Sequence, residues 1–159
     1  MDAKTMLQSM IEYHIAAIRK TWDVIDSMVE EREFLQEFGF SWDSIRNEMV
    51  HVASVDRRWL AGLMEQDVPA HVEFETLADR ASARIFAESV LQSLHDYCST
   101  LTEAEIGKTP GKLPGSRWQI LLHIVNHGTD HRARVLAMLE RLGKPQFDQD
   151  YIYFLLGKL

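Results

Sequence analysis

Four long segments of the chain repeat apolar side chains at the three- and four-residue spacing of an α-helix, which limits the fold more than any other feature. They run from Ala3 to Val29, from about Trp42 to Met64, from about Thr76 to Leu101 and from Ser116 to Leu142. The connectors between them contain glycine or proline, and no segment alternates in the way of a strand. The sequence therefore predicts an all-α four-helix bundle that forms a single domain over residues 1–159.

The ends of the predicted helices carry capping signals. Ser41 or Asp43 is expected to cap the second helix. Ser116 is followed three residues later by Gln119, the spacing of a capping box at the start of the fourth long helix. Gly143 suits the left-handed position that closes that helix. The tail that follows is expected to add one short extra helix or an ordered cap.

Composition excludes several classes of protein. Seventeen basic and twenty-four acidic side chains give a net charge of −7, which disfavours binding to nucleic acid. One cysteine cannot form an intramolecular disulfide. No stretch approaches the roughly 20 apolar residues that span a bilayer, and the first residues lack the order of a signal peptide. We therefore expect a cytoplasmic protein with neither a nucleic acid nor a membrane as partner.

Histidine spacing in the fourth long helix predicts a metal site. His123, His127 and His131 are each four residues apart, so neighbouring rings share a helix face, although all three cannot reach one ion. On a helical wheel His131 lies inside the apolar stripe and His127 at its edge, whereas His123 points away. A third ligand is then needed from another helix. His51 is the strongest candidate and His14, in the apolar stripe of the first helix, the second.

Three neutral imidazoles would leave a divalent ion its full +2 charge and open coordination positions, which is typical of a catalytic site. Zn, Ni, Fe, Co and Cu all suit such ligands. The alternative is that these histidines are hydrogen-bonded core residues without a metal. A zinc-protease motif is excluded because Gly128 stands where that motif needs glutamate.

Other polar residues near the candidate ligands are open to two interpretations. Glu48 forms one Glu-x-x-His with His51, but a di-iron site needs two such motifs. Glu48 either supports a metal ligand or, the preferred interpretation, is a solvated helix residue. Asp56 and Arg132 either orient the ligands or form ordinary ion pairs. Cys98, on the apolar stripe of the third helix, is expected to be buried and inert.

Two further histidines and three tryptophans are expected to have no part in metal binding. His71 and His95 have no recognisable partner in the sequence and are expected at the surface. Trp22, Trp59 and Trp118 are expected in the core or in the wall of a pocket.

Two segments of the chain resemble the DinB-like family, also called DinB/YfiT-like: SWDSIRNEMVHVASVDRRWL and LLHIVNHGTDHRARVLAMLERLGKP. The terminal DQDYIYFLL is similar to the closing segment of that family. The resemblance implies one histidine on the second helix and a pair four apart on the last long helix, which fall on His51, His127 and His131. The chain departs from the family after Arg132, where Ala133 and Arg134 stand in place of the common Gly-Gln.

The resemblance also implies a function. Characterised relatives include mycothiol-dependent maleylpyruvate isomerase and bacillithiol transferases, so it implies a metal-dependent transferase or isomerase that uses a low-molecular-weight thiol and an electrophilic substrate. In such an enzyme the cofactor supplies the nucleophilic sulfur. The alternative is a non-catalytic metal-bound module for stress response or ligand binding. The resemblance further implies a homodimer.

Overall fold

The computed structural model describes residues 2–159, and within them the secondary structure is helical without a strand. This confirms the predicted all-α bundle and its short C-terminal helix. The helices are α1 (Ala3–Met28), α2 (Glu31–Phe34), α3 (Ile45–Leu63), α4 (Arg80–Thr100), α5 (Glu103–Ile106), α6 (Arg117–Arg141) and α7 (Tyr151–Leu155), with a 3₁₀ turn at Phe74–Thr76.

The four long helices form the bundle, and their packing decides which side chains can meet. Helices α1 and α3 each pack against both α4 and α6, so α1 and α3 occupy opposite corners. Their apolar faces meet in one continuous core. Side chains of α3 and α6 therefore meet along one interface, and inward-pointing groups of α1 reach both helices through the interior.

The start and end of α6 agree with the sequence signals. The Ser116 N–H donates to Gln119 Oε1 at 2.9 Å, which confirms the predicted capping box. Gly143 has a φ of +68°, a conformation that glycine adopts without strain. These local signals fix α6, which carries three of the histidines, to within one residue of the predicted bounds.

The predicted start of the second long helix is wrong. Ser44, rather than Ser41 or Asp43, caps α3, and its Oγ accepts from the Asn47 N–H at 3.1 Å. Ser41 and Asp43 have φ values of +55° and +76°, so both belong to a left-handed turn instead of an N-cap. Trp42 consequently lies outside the helix, where its side chain is free to turn towards the histidines.

The third long helix also differs from its prediction, because α4 begins at Arg80 and not near Thr76. The Asp79 carboxylate caps it by accepting from the Ser82 N–H at 2.7 Å. Within α4, Ile85 is 72% exposed because it lies two residues, about 200° of rotation, from the buried Ala83.

The three tryptophans expected in the core or a pocket wall occupy different environments. Trp22 is fully buried, Trp59 is half-buried and Trp118 is exposed. Trp118 lines an apolar surface groove together with Met6 and Leu122. The prediction of a core position is therefore right for Trp22, and Trp118 lies in the wall of a surface groove.

Glycine at position 128 allows α1 to approach α6 closely. A Cβ atom built on Gly128 would lie 2.4 Å from His14 Cε1 and 3.0 Å from Arg132 Nη1, and both side chains are fully buried. We therefore expect Gly128→Ala to lower the free energy of unfolding by roughly 2 kcal/mol despite the better helix propensity of alanine. Urea denaturation measures this value.

Gly107→Ala is the matched control, because no atom lies within 4 Å of a Cβ built there and its φ of −79° suits alanine. We expect its stability to stay within about 0.5 kcal/mol of the wild-type value. Equal stability of the Gly128→Ala and wild-type proteins would contradict the close packing of His14 on α6.

No helix in residues 2–159 combines the length and the apolar character needed to cross a membrane.

Candidate metal centre

Three histidines from two helices converge at the interface of α3 and α6. His51 comes from α3, and His127 and His131 come from successive turns of α6. The Nε2 atoms of His51 and His127 are 3.2 Å apart, and the three rings offer nitrogen atoms that all lie within 4.8 Å of one another. His131 is buried and His127 half-buried, as the helical wheel predicted.

The donor set fits a divalent transition metal. Two nitrogens bound to one tetrahedral ion at about 2.0–2.1 Å are about 3.3–3.4 Å apart, close to the spacing of the two Nε2 atoms. Imidazole ligands suit Zn, Ni, Fe, Co and Cu, and three of them leave a coordination position open. The geometry of the three rings therefore fits a divalent ion held by three imidazoles.

Glu48 lies directly behind His131, which corrects its interpretation as a solvated residue. Its carboxylate is fully buried, and Oε2 accepts a hydrogen bond from His131 Nδ1–H at 2.6 Å, while Oε1 accepts from the Trp42 N–H at 3.1 Å. Burial alone would raise the pKa of Glu48, but the hydrogen bonds, chiefly from His131, hold the pKa below its usual value. With Nδ1 protonated, His131 presents Nε2 as a free lone pair, the arrangement of a carboxylate behind a metal-ligating histidine.

We expect Glu48→Gln to weaken Zn²⁺ binding by about 10- to 100-fold, because the amide replaces the charged acceptor that fixes the tautomer and the orientation of His131. Competition against a chromophoric chelator measures the affinity. Glu12→Gln is the matched control, since Glu12 is exposed on α1. Equal losses in the two variants would mean that overall charge, and not the bond to His131, governs the affinity.

Burial keeps His51 and His127 in the form that binds metals. Burial, with a smaller contribution from the nearby His131, lowers the pKa of each ring to about 4. The negative charge of Asp56 opposes this effect at His127. Both imidazoles are therefore neutral at pH 7 and have a lone pair available for coordination.

Aromatic rings surround the outer side of the histidine cluster. Trp42 stacks on His51 with ring centroids 4.5 Å apart, and His71 lies parallel to His51 at 6.4 Å. His123 is exposed, as predicted, and its ring lies in a T-shaped arrangement with Trp59, with ring centroids 5.1 Å apart. His71 is also exposed, as expected. Its position beside His51, a candidate ligand, could not be predicted from the sequence.

His14, the second candidate for the third ligand, belongs to a different cluster. It lies inside the bundle, where its Nε2–H donates to Asp56 Oδ2 at 2.8 Å. Arg132 donates from Nη2 to Tyr13 Oη and Thr129 Oγ1 instead of forming an ion pair with a carboxylate. The structure thus brings His51, and not His14, together with His127 and His131. It shows no direct hydrogen bond from Asp56 or Arg132 to any of those three histidines.

The single cysteine stands apart from the histidine cluster. Cys98 of α4 is buried, as predicted, beside Leu7, Leu101 and Leu121. His95, on the same helix, is exposed as expected and lies 3.5 Å from Asp96.

Glu48 is the site residue that sequence reasoning assigned wrongly, although the sequence contains a signal for it. Glu48 lies three residues after Ile45 and four before Val52, so all three share the core-facing side of α3. A charged residue inside an apolar stripe requires a buried partner. The Glu-x-x-His spacing also places the carboxylate one turn from His51.

The model of the DinB family matches residues 1–156, nearly the whole chain. A search of curated protein sequences finds none that matches.

Proposed function

Because the chain belongs to the DinB family, we propose that it binds one divalent metal ion through His51, His127 and His131 and uses it in the chemistry of a small thiol. The observation that carries the proposal is the convergence of three imidazoles, two of them with Nε2 atoms 3.2 Å apart. The family's thiol-dependent members support a transferase or isomerase that joins a low-molecular-weight thiol to an electrophile.

The residues at this site have different roles. His51, His127 and His131 would hold the ion, and Glu48 keeps the lone pair of His131 directed towards it. Trp42 covers one face of His51 and restricts its rotation. An ion held by three neutral ligands keeps a +2 charge, which favours the thiolate form of a thiol at neutral pH.

The thiol itself must come from outside the chain. Cys98 is the single cysteine of the sequence, and burial raises its pKa to about 12. A side chain in that state supplies almost no thiolate near neutral pH. If the nucleophile is an external thiol, the site itself needs only metal ligands and aromatic rings.

Titration of the Co²⁺-loaded protein with small thiols tests the proposal. We expect cysteine and similar low-molecular-weight thiols to produce a sulfur-to-cobalt charge-transfer band, and S-methylcysteine, the matched control, to leave the spectrum unchanged. The His131→Ala protein should not show the band. A cobalt spectrum that ignores every thiol tested would contradict thiol chemistry and favour a non-catalytic metal-bound protein.

The homodimer and the cytoplasmic location expected from the sequence stay predictions. The apolar groove of Met6, Trp118 and Leu122 is a surface on which a second copy could pack. Light scattering after size exclusion distinguishes a monomer of 18.4 kDa from a dimer.

A further inference from the structure

A second polar cluster is sealed inside the bundle beneath the histidines. His14 of α1, Asp56 of α3 and Arg132 of α6 are all fully buried. His14 Nε2–H donates to Asp56 Oδ2 at 2.8 Å, and Arg132 Nε donates to Gln149 Oε1 at 3.0 Å. The cluster joins three of the four long helices at the level of His127.

Four buried atoms of this region have no hydrogen-bond partner in the protein. They are His14 Nδ1, Asp56 Oδ1, Arg132 Nη1 and His127 Nδ1. Leaving a buried polar atom unpaired costs about 1–3 kcal/mol. Four such atoms on adjacent turns and facing helices indicate a shared partner.

The four atoms form a balanced set of donors and acceptors. Arg132 Nη1 donates, and so does His127 Nδ1 when Nε2 serves as the metal ligand. Asp56 Oδ1 accepts, and His14 Nδ1 accepts in the neutral ring because Nε2 already carries the proton given to Asp56. One water molecule accepts two hydrogen bonds and donates two, which matches this set of two donors and two acceptors.

Two of the four atoms, His14 Nδ1 and Arg132 Nη1, lie close enough to each other beside Gly128 to bind the same water molecule. His14 Nδ1 and Arg132 Nη1 lie 2.6 Å and 3.0 Å from the point where a Cβ of Gly128 would stand. The two nitrogens are therefore at most about 5.6 Å apart, the sum of those distances. Two partners of one water at ordinary hydrogen-bond lengths are about 4.6 Å apart, which fits inside this limit.

We propose that Asp56, held in place by its hydrogen bond from His14, is a positioning residue for His127 and acts through a buried water that receives the His127 Nδ1–H. The inference rests on the proposed function, since it takes His127 as a metal ligand. It gives His127 the same kind of support that Glu48 gives His131. The difference is that Glu48 bonds its histidine directly, whereas Asp56 acts through water and is shared with α1.

Binding of Co²⁺ alone tests the energetic part of the inference. We expect Asp56→Asn to weaken Co²⁺ binding about 10-fold, the lower end of the range for groups that orient metal ligands. Ser54→Ala is the matched control, because Ser54 is a buried polar residue of α3 whose Oγ bonds Val72 N–H at 3.0 Å and not the cluster. Its Co²⁺ affinity should stay within twofold of the wild-type value.

Nitrogen-15 NMR of histidine-labelled, Zn²⁺-loaded wild-type protein tests the hydrogen bond without a variant at the cluster. We expect the Nδ1–H of His127 to give a signal protected from exchange with solvent. In Asp56→Asn the same proton should exchange faster. A general loss of stability would not move this one proton while leaving the His131 Nδ1–H signal unchanged.

The outcomes separate the inference from the proposed function. If wild-type protein and Ser54→Ala bind no Co²⁺, the proposed function fails. If both bind but Asp56→Asn binds equally well, or the His127 Nδ1–H of wild-type protein exchanges rapidly, the metal site stands and the positioning role of Asp56 is wrong. Should Asp56→Asn not fold, the wild-type NMR result decides.

Discussion

Replacing His131 with alanine is expected to weaken binding of Zn²⁺ by more than about 100-fold. Loss of a group that merely orients a metal ligand costs about 10- to 100-fold in affinity, and loss of the ligand itself must cost more. The change also leaves the fully buried carboxylate of Glu48 without its hydrogen-bond partner at 2.6 Å. Competition titration with a chelator of known affinity measures the effect.

His95→Ala is the matched control for that experiment. His95 is exposed on α4, beside Asp96, and takes no part in the histidine cluster. Its removal should leave the affinity within twofold of the wild-type value. If the two alanine variants bind Zn²⁺ as tightly as the wild-type protein does, the metal is not held by His131.

Cys98 is expected to react with a thiol-specific disulfide reagent about a thousandfold more slowly in the native protein than in the unfolded chain. Burial raises the pKa of this thiol to about 12. At pH 8 that leaves on the order of one thiolate in 10⁴ molecules, against roughly one in four for an ordinary cysteine of pKa about 8.5. The rate of absorbance change with and without denaturant measures the difference.

The Cys98→Ser protein gives the background rate, since the chain has one cysteine. A native rate within tenfold of the unfolded rate would contradict the burial of Cys98. It would also reopen the question of whether the chain supplies its own nucleophile.

The helices could be predicted where local chemistry decides them. α6 has a capping box at Ser116 and a left-handed glycine at Gly143, and both signals act within a few residues. The start of α3 could not be predicted in this way. Ser41 and Asp43 are good N-cap residues by type, but the turn that places Trp42 beside His51 holds both of them at positive φ.

The positions of the candidate ligands could be predicted best where one helix determines the geometry. The spacing of His127 and His131 and their place on the wheel follow from the regular helix. The choice between His51 and His14 depends on how α1 and α3 pack around α6, which periodicity does not describe. The family resemblance pointed to His51, and the structure brings it within 3.2 Å of His127.

The two buried carboxylates of α3 also show what can and cannot be predicted from the sequence. Glu48 and Asp56 both lie on the core-facing side of the helix, so their burial can be recognised from the pattern alone. Their partners, His131 and His14, are on other helices and become known from the tertiary structure.

Anomalous diffraction from crystals of the Zn²⁺-loaded protein tests the central claim most directly. We expect one strong zinc peak per chain, bonded to one ring nitrogen each of His51, His127 and His131 at about 2.0–2.1 Å. Zinc bound instead to exposed histidines such as His71 or His95, or no peak among the three rings, would contradict the account.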